Sequence, residues 1–334
     1  MRRKEETREN FQVMELRQKC EELRQIKEKL EKSEAMYRFF AENSVDAMWH
    51  LDNRFQFVYV SPAVQTILGY QVEEIVGRSL FSILTPESGS EVKGGYSQVA
   101  YLQELKQTWG SSTYTVEAIH KDGHHIWLEV TVNPIFSSDN RLMGYVGITR
   151  DISERRKNEE VIYHYAFYDS LTNLPNRRLF DAVLEEAVSR KAQFENSFAV
   201  LFLDIDGLKK VNDAYGHTAG DLLLQVVAKR LRHTVRHKDF VARLAGDEFT
   251  AILSGGGDSS VAGLIATRLI ENCCRPIVIG GHRITIGVSI GVSFFPADTD
   301  NVANLVHYAD QAMYRAKKLG GSRYNIYEDG SVVP

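Results

Sequence analysis

The segment FAVLFLDIDG at residues 198–207 decides the architecture of the C-terminal half of the chain. Its first six residues are all apolar, which is typical of a fully buried strand, and the run ends at Asp204. Strand ends lie at the edge of a sheet, where ligands commonly bind. The segment therefore predicts a central sheet with an acidic residue at its rim.

Helical and strand patterns alternate around this segment, from about residue 169 to residue 330. The apolar spacing predicts helices over residues 176–191, 221–235, 259–274 and 302–318. It predicts strands over residues 198–203, 240–244, 249–253 and 284–295. Such alternation indicates an α/β (α+β) sandwich, with one open mixed or antiparallel sheet flanked by helices.

A second acidic position lies in the turn Ala245-Gly246-Asp247-Glu248, between two predicted strands. Carboxylates that face Asp204 across a sheet repel one another unless a cation lies between them. Mg²⁺ suits such a place, because it binds one or two carboxylates and completes its shell with phosphate oxygens and water. The residues alone thus predict metal-assisted nucleotidyl chemistry, with solvated turn acids as the alternative.

The first 33 residues form a separate region in which 18 residues are charged and none is Gly or Pro. Leu16, Leu23, Leu30 and Tyr37 recur every seven residues. This spacing favours a parallel coiled coil between two copies of the chain, and a lone solvated helix is the alternative.

Residues 34–150 change to a pattern of short strands. These strands are predicted over residues 47–51, 55–61, 113–120, 125–136 and 142–149, with a helix over 62–69. Asp52-Asn53 predicts a two-residue hairpin turn between the first two strands. Residues 151–168 are again charged and free of Gly and Pro, which predicts a helix that links this region to the next.

Composition narrows the class of protein. The chain has 334 residues, about twice the ~150 of a typical domain, and a net charge of −4 that argues against a general nucleic-acid binder. No apolar run approaches the ~20 residues of a membrane helix. Cys20, Cys273 and Cys274 suit a reducing compartment and exclude a disulfide framework. We therefore expect a cytoplasmic protein of several domains.

Several motifs of the C-terminal region follow one another in a fixed order. They are DSLTNLPNRR at residues 169–178, DIDGLKKVND at 204–213, AGDEF at 245–249 and ADQAMYRAK at 309–317. In this order they resemble the GGDEF family of diguanylate cyclases. The resemblance implies a reaction that joins two GTP molecules into cyclic di-GMP and releases two pyrophosphates.

The resemblance also implies a metal site. Asp204, Asp247 and the backbone carbonyl of Ile205 would hold Mg²⁺, with Mn²⁺ as a substitute ion. Glu248 would be a further metal ligand or the base that takes the proton of the 3′-hydroxyl, and the sequence does not choose between these roles.

By the same resemblance, Asn212 and Asp221 would read guanine. A carboxylate accepts from the N1–H and N2–H₂ edge of guanine, which adenine lacks. Leu208 and Lys209 would hold the β- and γ-phosphates through their backbone N–H groups. Lys317 would hold the terminal phosphates.

The resemblance also implies a homodimer and a site for inhibition by the product. The product has two-fold symmetry, so two such domains must face each other in a homodimer. Arg236 and Asp239 match an inhibitory site for the product. Two positions depart from the family pattern. Ala245 replaces the first Gly of the signature, which is tolerated unless that position needs a positive φ. Gly321 stands where the family usually has Arg, so a phosphate contact is expected to be missing.

Residues 34–150 resemble a PAS sensor domain, whose end motif corresponds to GITRDISER at residues 147–155. Its ligand is unknown. His120, His124 and His125 flank a predicted turn and are expected to be solvated, with a haem or metal role left open. The predicted domains are a coiled-coil helix (1–33), the PAS domain (34–150), a linker helix (151–168) and the GGDEF domain (169–330). The expectation is a cytoplasmic bacterial cyclase. The alternative is a non-catalytic receptor or scaffold that binds cyclic di-GMP or GTP.

Overall fold

The computed structural model describes residues 2–94, 111–139, 141–189, 197–255 and 257–328. The chain divides into two compact units, residues 1–158 and 159–334. No helix within the described ranges is long and apolar enough to cross a membrane.

The N-terminal unit begins with a long helix and continues as a five-stranded antiparallel sheet in the order β2-β1-β5-β4-β3. Its elements are α1 (Arg2–Asn43), β1 (Ala47–Asp52), β2 (Phe57–Val60), α2 (Ala63–Leu68), α3 (Val72–Ile75), β3 (Ser112–Ile119), β4 (His125–Phe136) and β5 (Leu142–Asp151). The predicted strands are confirmed to within about two residues at each end. The helix α1 is longer than the predicted 33 residues, and Leu23 and Leu30 are exposed on it.

The hairpin between β1 and β2 differs from the prediction. The Asp52 carboxylate accepts hydrogen bonds from the backbone N–H groups of Arg54 and Gln56, both at 2.8 Å. Phe55 has a positive φ of 62°, and β2 begins only at Phe57. The predicted two-residue turn at Asp52-Asn53 is therefore wrong. The side chain of Asp52 stabilises a longer loop by accepting N–H groups that a tight turn would pair across the ladder.

The C-terminal unit is built on a five-stranded sheet in the order β12-β11-β6-β8-β7, with helices on both faces. The linker helix α4 (Ser153–Phe167) precedes it. The unit contains α5 (Arg177–Ser189), β6 (Phe198–Asp206), α6 (Leu208–Tyr215), α7 (His217–Thr234), β7 (Phe240–Ala245), β8 (Glu248–Ser254), α8 (Ser259–Cys273), β9 (Ile277–Ile279), β10 (His282–Ile284), β11 (Gly287–Phe295), α9 (Val302–Lys318) and β12 (Tyr324–Ile326). Only the β11–β12 pair is parallel in this sheet, so the predicted mixed sheet is confirmed.

Strand β6 is buried on both faces, as its apolar run predicts. Leu201 and Leu203 pack into a core shared with α7 and α8, whereas Val200 and Phe202 pack against α5 and α9. Alternate residues point to opposite faces of a strand. Asp204 therefore emerges on the α5 and α9 side, where the strand reaches the rim.

The structure of this unit differs from the prediction in its short elements. The short helix α6 and the strand β12 were not predicted, because neither carries a periodic apolar run long enough to stand out. The strand predicted over residues 284–295 is two elements. Its first residue belongs to a separate β9–β10 hairpin that turns at Gly280-Gly281, and β11 begins at Gly287.

Candidate active site

The acidic residues of the two predicted rim positions lie together at one end of the sheet. Asp204 on β6 is directly opposite Glu248 on β8 in the strand register. Residues opposite each other in an antiparallel pair share a face. The backbone N–H of Ile205 donates to the carbonyl of Asp247 at 3.3 Å, which continues the pairing into the turn. The sheet thus gathers Asp204, Asp247 and Glu248 at one rim.

Asp204 is the buried member of this group, with 7% of its surface exposed. Its Oδ1 atom lies 2.6 Å from Lys317 Nζ on α9, and beyond that ion pair it has no hydrogen-bond partner among the described residues. Burial raises the pKa of Asp204, and the charges of Asp247 and Asp206 add to the rise although Lys317 opposes it. A cation at Asp204 would therefore relieve a carboxylate that its surroundings disfavour.

Glu248 is less enclosed than Asp204. Its side chain is 39% exposed, and its Oε2 atom lies 3.7 Å from a guanidinium nitrogen of Arg177 at the start of α5. At this exposure the ion pair contributes little to stability. The Glu248 carboxylate is therefore accessible to an ion or a proton, although Arg177 lies beside it.

Asp206 was not predicted as a site residue, and the structure shows that it has a structural role. Its carboxylate accepts hydrogen bonds from Ser289 Oγ at 2.9 Å and from the backbone N–H of Ser322 at 3.0 Å. It thereby joins β6 to β11 and to the segment that follows α9. Gly321 lies beside this carboxylate, so a larger side chain there would have to displace it.

The signature turn is held by an arginine that sequence reasoning missed. Arg243 is 9% exposed and donates to the carbonyl of Gly246 from Nε and Nη2, at 3.0 and 2.8 Å. Its Nη1 donates to Asp169 Oδ1 at 2.8 Å. Burial alone would raise the pKa of Asp169, but hydrogen bonds from Thr172 and Arg243 hold it below its ordinary value. The DSLTNLPNRR motif contains Asp169 but does not indicate Arg243.

The backbone of this turn explains why Ala is accepted at its first position. The positive φ, 51°, falls on Gly246, and Ala245 is not among the described residues with positive φ. A methyl group at 245 therefore needs no left-handed backbone.

The predicted guanine and phosphate residues lie on two consecutive helices. The first intrahelical bond of α6 runs from Val211 N to Gly207 O, which leaves the N–H groups of Leu208 and Lys209 without an intrahelical acceptor. The Oδ1 atom of Asn212 is buried and makes no hydrogen bond in the described structure. It lies against Gly220 on α7, where any Cβ would collide with it. Asp221, the next residue, is exposed.

Comparison with known protein families matches both units of the chain. Residues 166–323 match the family described as diguanylate cyclase, GGDEF domain, and residues 45–154 match the PAS domain family. The chain is a PAS–GGDEF protein. The sequence thus shows the GGDEF family, and Asp204, Asp247 and Glu248 lie within the matched residues.

Two curated relatives come from Pseudomonas aeruginosa. The bifunctional diguanylate cyclase/cyclic di-GMP phosphodiesterase MucR is 44% identical over 52% of this chain and 25% of its own length. The diguanylate cyclase TpbB is 41% identical over 48% of this chain and 37% of its own length. The PAS–GGDEF chain thus spans well under half of either relative. The solved GGDEF domain of TpbB is 38% identical over 48% of this chain and 94% of that one, with a TM-score of 0.47.

The predicted inhibitory pair of this PAS–GGDEF protein lies at one turn after α7, but its members are not equivalent. Asp239 is 3% exposed, and its carboxylate accepts from the backbone N–H groups of Arg236 at 2.9 Å and Ser254 at 3.1 Å. The Arg236 side chain is exposed. Asp239 therefore stabilises the turn, and Arg236 is the member that faces solvent.

Proposed function

We propose that this protein condenses two GTP molecules into cyclic di-GMP with release of two pyrophosphates. The observation that carries the proposal is the buried Asp204 carboxylate, which lies opposite Glu248 at the sheet rim and whose Oδ1 atom has the Lys317 ammonium group as its one partner among the described residues. Relatives named diguanylate cyclase and the GGDEF family match support the same reaction.

The donor set of this rim fits Mg²⁺. Carboxylates of Asp204, Asp247 and Glu248 with the Ile205 carbonyl form an all-oxygen group, which Mg²⁺ prefers, and Mn²⁺ accepts the same ligands. The bound ions supply charge that stabilises the attacking and leaving oxygens of phosphoryl transfer. Asp204 would contribute its Oδ1 atom, whose one partner among the described residues is Lys317.

Lys317 has two partners in this proposal. It neutralises Asp204 in the present structure, with its side chain 35% exposed. A cation held by Asp204 would supply the positive charge that Lys317 supplies in this structure, and Lys317 would hold the terminal phosphates of GTP. The N–H groups of Leu208 and Lys209 hold the β- and γ-phosphates from the start of α6.

Guanine is held by Asn212 and Asp221 in the same proposal. The buried Oδ1 atom of Asn212 lacks a donor, and the guanine N1–H and N2–H₂ edge supplies donors. Leaving such a matched polar group unpaired costs about 1–3 kcal/mol, which is the basis for rejecting adenine.

The reaction requires a homodimer, because each domain binds one GTP and the nucleophile belongs to the other GTP. Exposed apolar residues on α1 and α4 supply surface for self-association, among them Leu23, Leu30 and Ile162. The PAS domain would regulate the dimer, and product bound at Arg236 would inhibit it.

The decisive experiment is incubation of the purified chain with GTP and Mg²⁺, followed by chromatography of the products. Wild-type protein is expected to form cyclic di-GMP, and Asp247→Ala to form none. Asp181→Ala removes an exposed acid on α5 and is the matched control, which should retain activity. Bound GTP without product would instead favour the receptor function.

A further inference from the structure

The turn between β3 and β4 carries a cluster of metal-binding side chains that the proposed cyclase does not use. His120, Asp122 and His124 occupy alternate positions in this turn. Their ligand atoms, a nitrogen from each histidine and a carboxylate oxygen, all lie within 4.8 Å of one another. The sequence predicted the three histidines of this region to be solvated, but the structure separates them into a pair and a single residue.

The backbone of the turn brings the two imidazoles together. His120 N donates to His124 O at 2.8 Å, and Gly123 N donates to His120 O at 2.9 Å. The two rings stack with centroids 4.4 Å apart. Both Nδ1 atoms face the same oxygen, Oδ1 of Asp122, and the His120 Nδ1 atom lies 2.8 Å from it. The two ring nitrogens and the carboxylate oxygen therefore lie close enough together to bind one ion.

The cluster is also anchored to the body of the N-terminal unit. Lys121 Nζ lies 2.7 Å from Glu74 on α3, and the Lys121 N–H donates to Leu68 O at the end of α2. The His120 ring lies so close to Gly69 that a Cβ there would meet it at 2.5 Å. The His120 side chain is only 20% exposed. The position of the first ligand is therefore set by packing before any ion arrives.

We propose that His120, Asp122 and His124 bind one divalent transition-metal ion of the Zn²⁺ type. Two imidazole nitrogens and one carboxylate oxygen are ligands of Zn²⁺, Ni²⁺ and Cu²⁺, whereas Mg²⁺ and Ca²⁺ prefer oxygen alone. Zn²⁺ binds these atoms at about 2.0–2.2 Å, so small rotations bring all three onto one ion. Water completes the shell, because Asp122 and His124 are more than half exposed. Each histidine binds through a deprotonated Nδ1 with its ring proton on Nε2, so that bonds to the ion replace the Nδ1 contacts with Asp122 Oδ1.

Titration calorimetry of the chelator-treated full chain with Zn²⁺ tests the proposal, in buffer with excess Mg²⁺ to occupy oxygen-only sites. Asp122→Asn and His124→Gln each remove one ligand from an exposed position. We expect each to weaken one Zn²⁺ site by at least the 10- to 100-fold that a lost outer-shell partner already costs. His125→Gln is the matched control, because His125 lies beside Glu117, with Nδ1 at 3.2 Å from Oε1, and is outside the cluster.

The Cu²⁺ electron paramagnetic resonance spectrum identifies the donors independently. Wild-type protein, Asp122→Asn and His125→Gln should each show hyperfine coupling to two imidazole nitrogens, and His124→Gln to one. Equal Zn²⁺ affinity in wild type, Asp122→Asn and His124→Gln would overturn the proposal. A weakened site in the His125→Gln control would overturn it as well, since the ion would then lie elsewhere.

Discussion

Asp204 is a carboxyl group whose charged form the fold disfavours. Burial and the neighbouring acids raise its pKa, so the folded protein disfavours its charged form. Its contribution to stability is then present below the ordinary pKa of a carboxyl group, and is lost as the pH rises through the raised pKa of the folded state. Wherever the carboxylate is charged, its charge lowers the stability of the folded protein, and a cation would relieve that cost.

Asp204→Asn should therefore abolish cyclase activity and stabilise the metal-free protein at pH 7. The expected gain in the free energy of unfolding is about 0.5–2 kcal/mol, the range typical of a single stabilising substitution. Chemical denaturation at several pH values measures it, and the gain should shrink as the pH falls because Asp204 then becomes neutral. A less stable variant at pH 7 would show that the ion pair with Lys317 outweighs burial.

Arg236 and Asp239 lie in the same turn, but substitutions at these two residues are expected to have different effects. Arg236→Ala should relieve inhibition by cyclic di-GMP and leave the initial rate unchanged, because the Arg236 side chain is exposed. Asp239→Ala should cost about 1–3 kcal/mol of stability, since it leaves the N–H groups of Arg236 and Ser254 without their acceptor. Product-inhibition curves and thermal unfolding separate the two effects. Unchanged inhibition in Arg236→Ala would refute the inhibitory site.

The β7–β8 hairpin is the element that positions the signature turn, and Arg243 links it to the segment before α5. Arg243→Lys keeps the charge but cannot donate to Gly246 O and Asp169 in the same fork geometry. We expect a turnover rate at least tenfold lower with little change in GTP binding, because the turn is displaced and the guanine residues are not.

Steady-state kinetics and nucleotide titration test this expectation, with Arg283→Lys on β10 as the matched control at an exposed arginine. A variant in which the Michaelis constant alone rises would argue that Arg243 supports substrate binding instead of the turn.

Self-association is a property of the whole molecule. Leu23 and Leu30 are 65% and 56% exposed on α1, so no part of the described structure covers them. Replacing both with Lys should shift sedimentation towards the monomer and lower the specific activity, because charged residues at the seam of a coiled coil lower its stability. Gln18→Lys with Gln25→Lys adds the same charge on the outer side of the helix and should sediment as wild type. Identical sedimentation of both variants would contradict the coiled coil.

Much of the fold could be predicted because most of its strands and helices have a recognisable pattern within their own residues. The apolar run before Asp204, the alternation along β4 and the helical spacing of α9 each specify one element by residue order alone. The prediction failed where local order was weak. The helix α6 is eight residues long, and the Asp52 loop depends on side-chain hydrogen bonds that a dipeptide turn rule does not consider.

In the candidate site, too, the sequence indicates some residues and leaves the contacts between distant residues unpredicted. Its acids could be named from motif order, but Arg243 could not, because its partner Asp169 lies 74 positions away. The same holds for the ion pair between Lys317 and Asp204, and for Asn212 against Gly220.

Residue order by itself determined which segments become strands and helices, which family they form and which acids are candidates for chemistry. Only the tertiary structure decided which acid is buried, which cation neutralises it, and which two of three neighbouring histidines share a carboxylate. The physical reason is that periodicity and motifs act over a few residues, whereas burial and side-chain contacts arise only after distant strands and helices have packed.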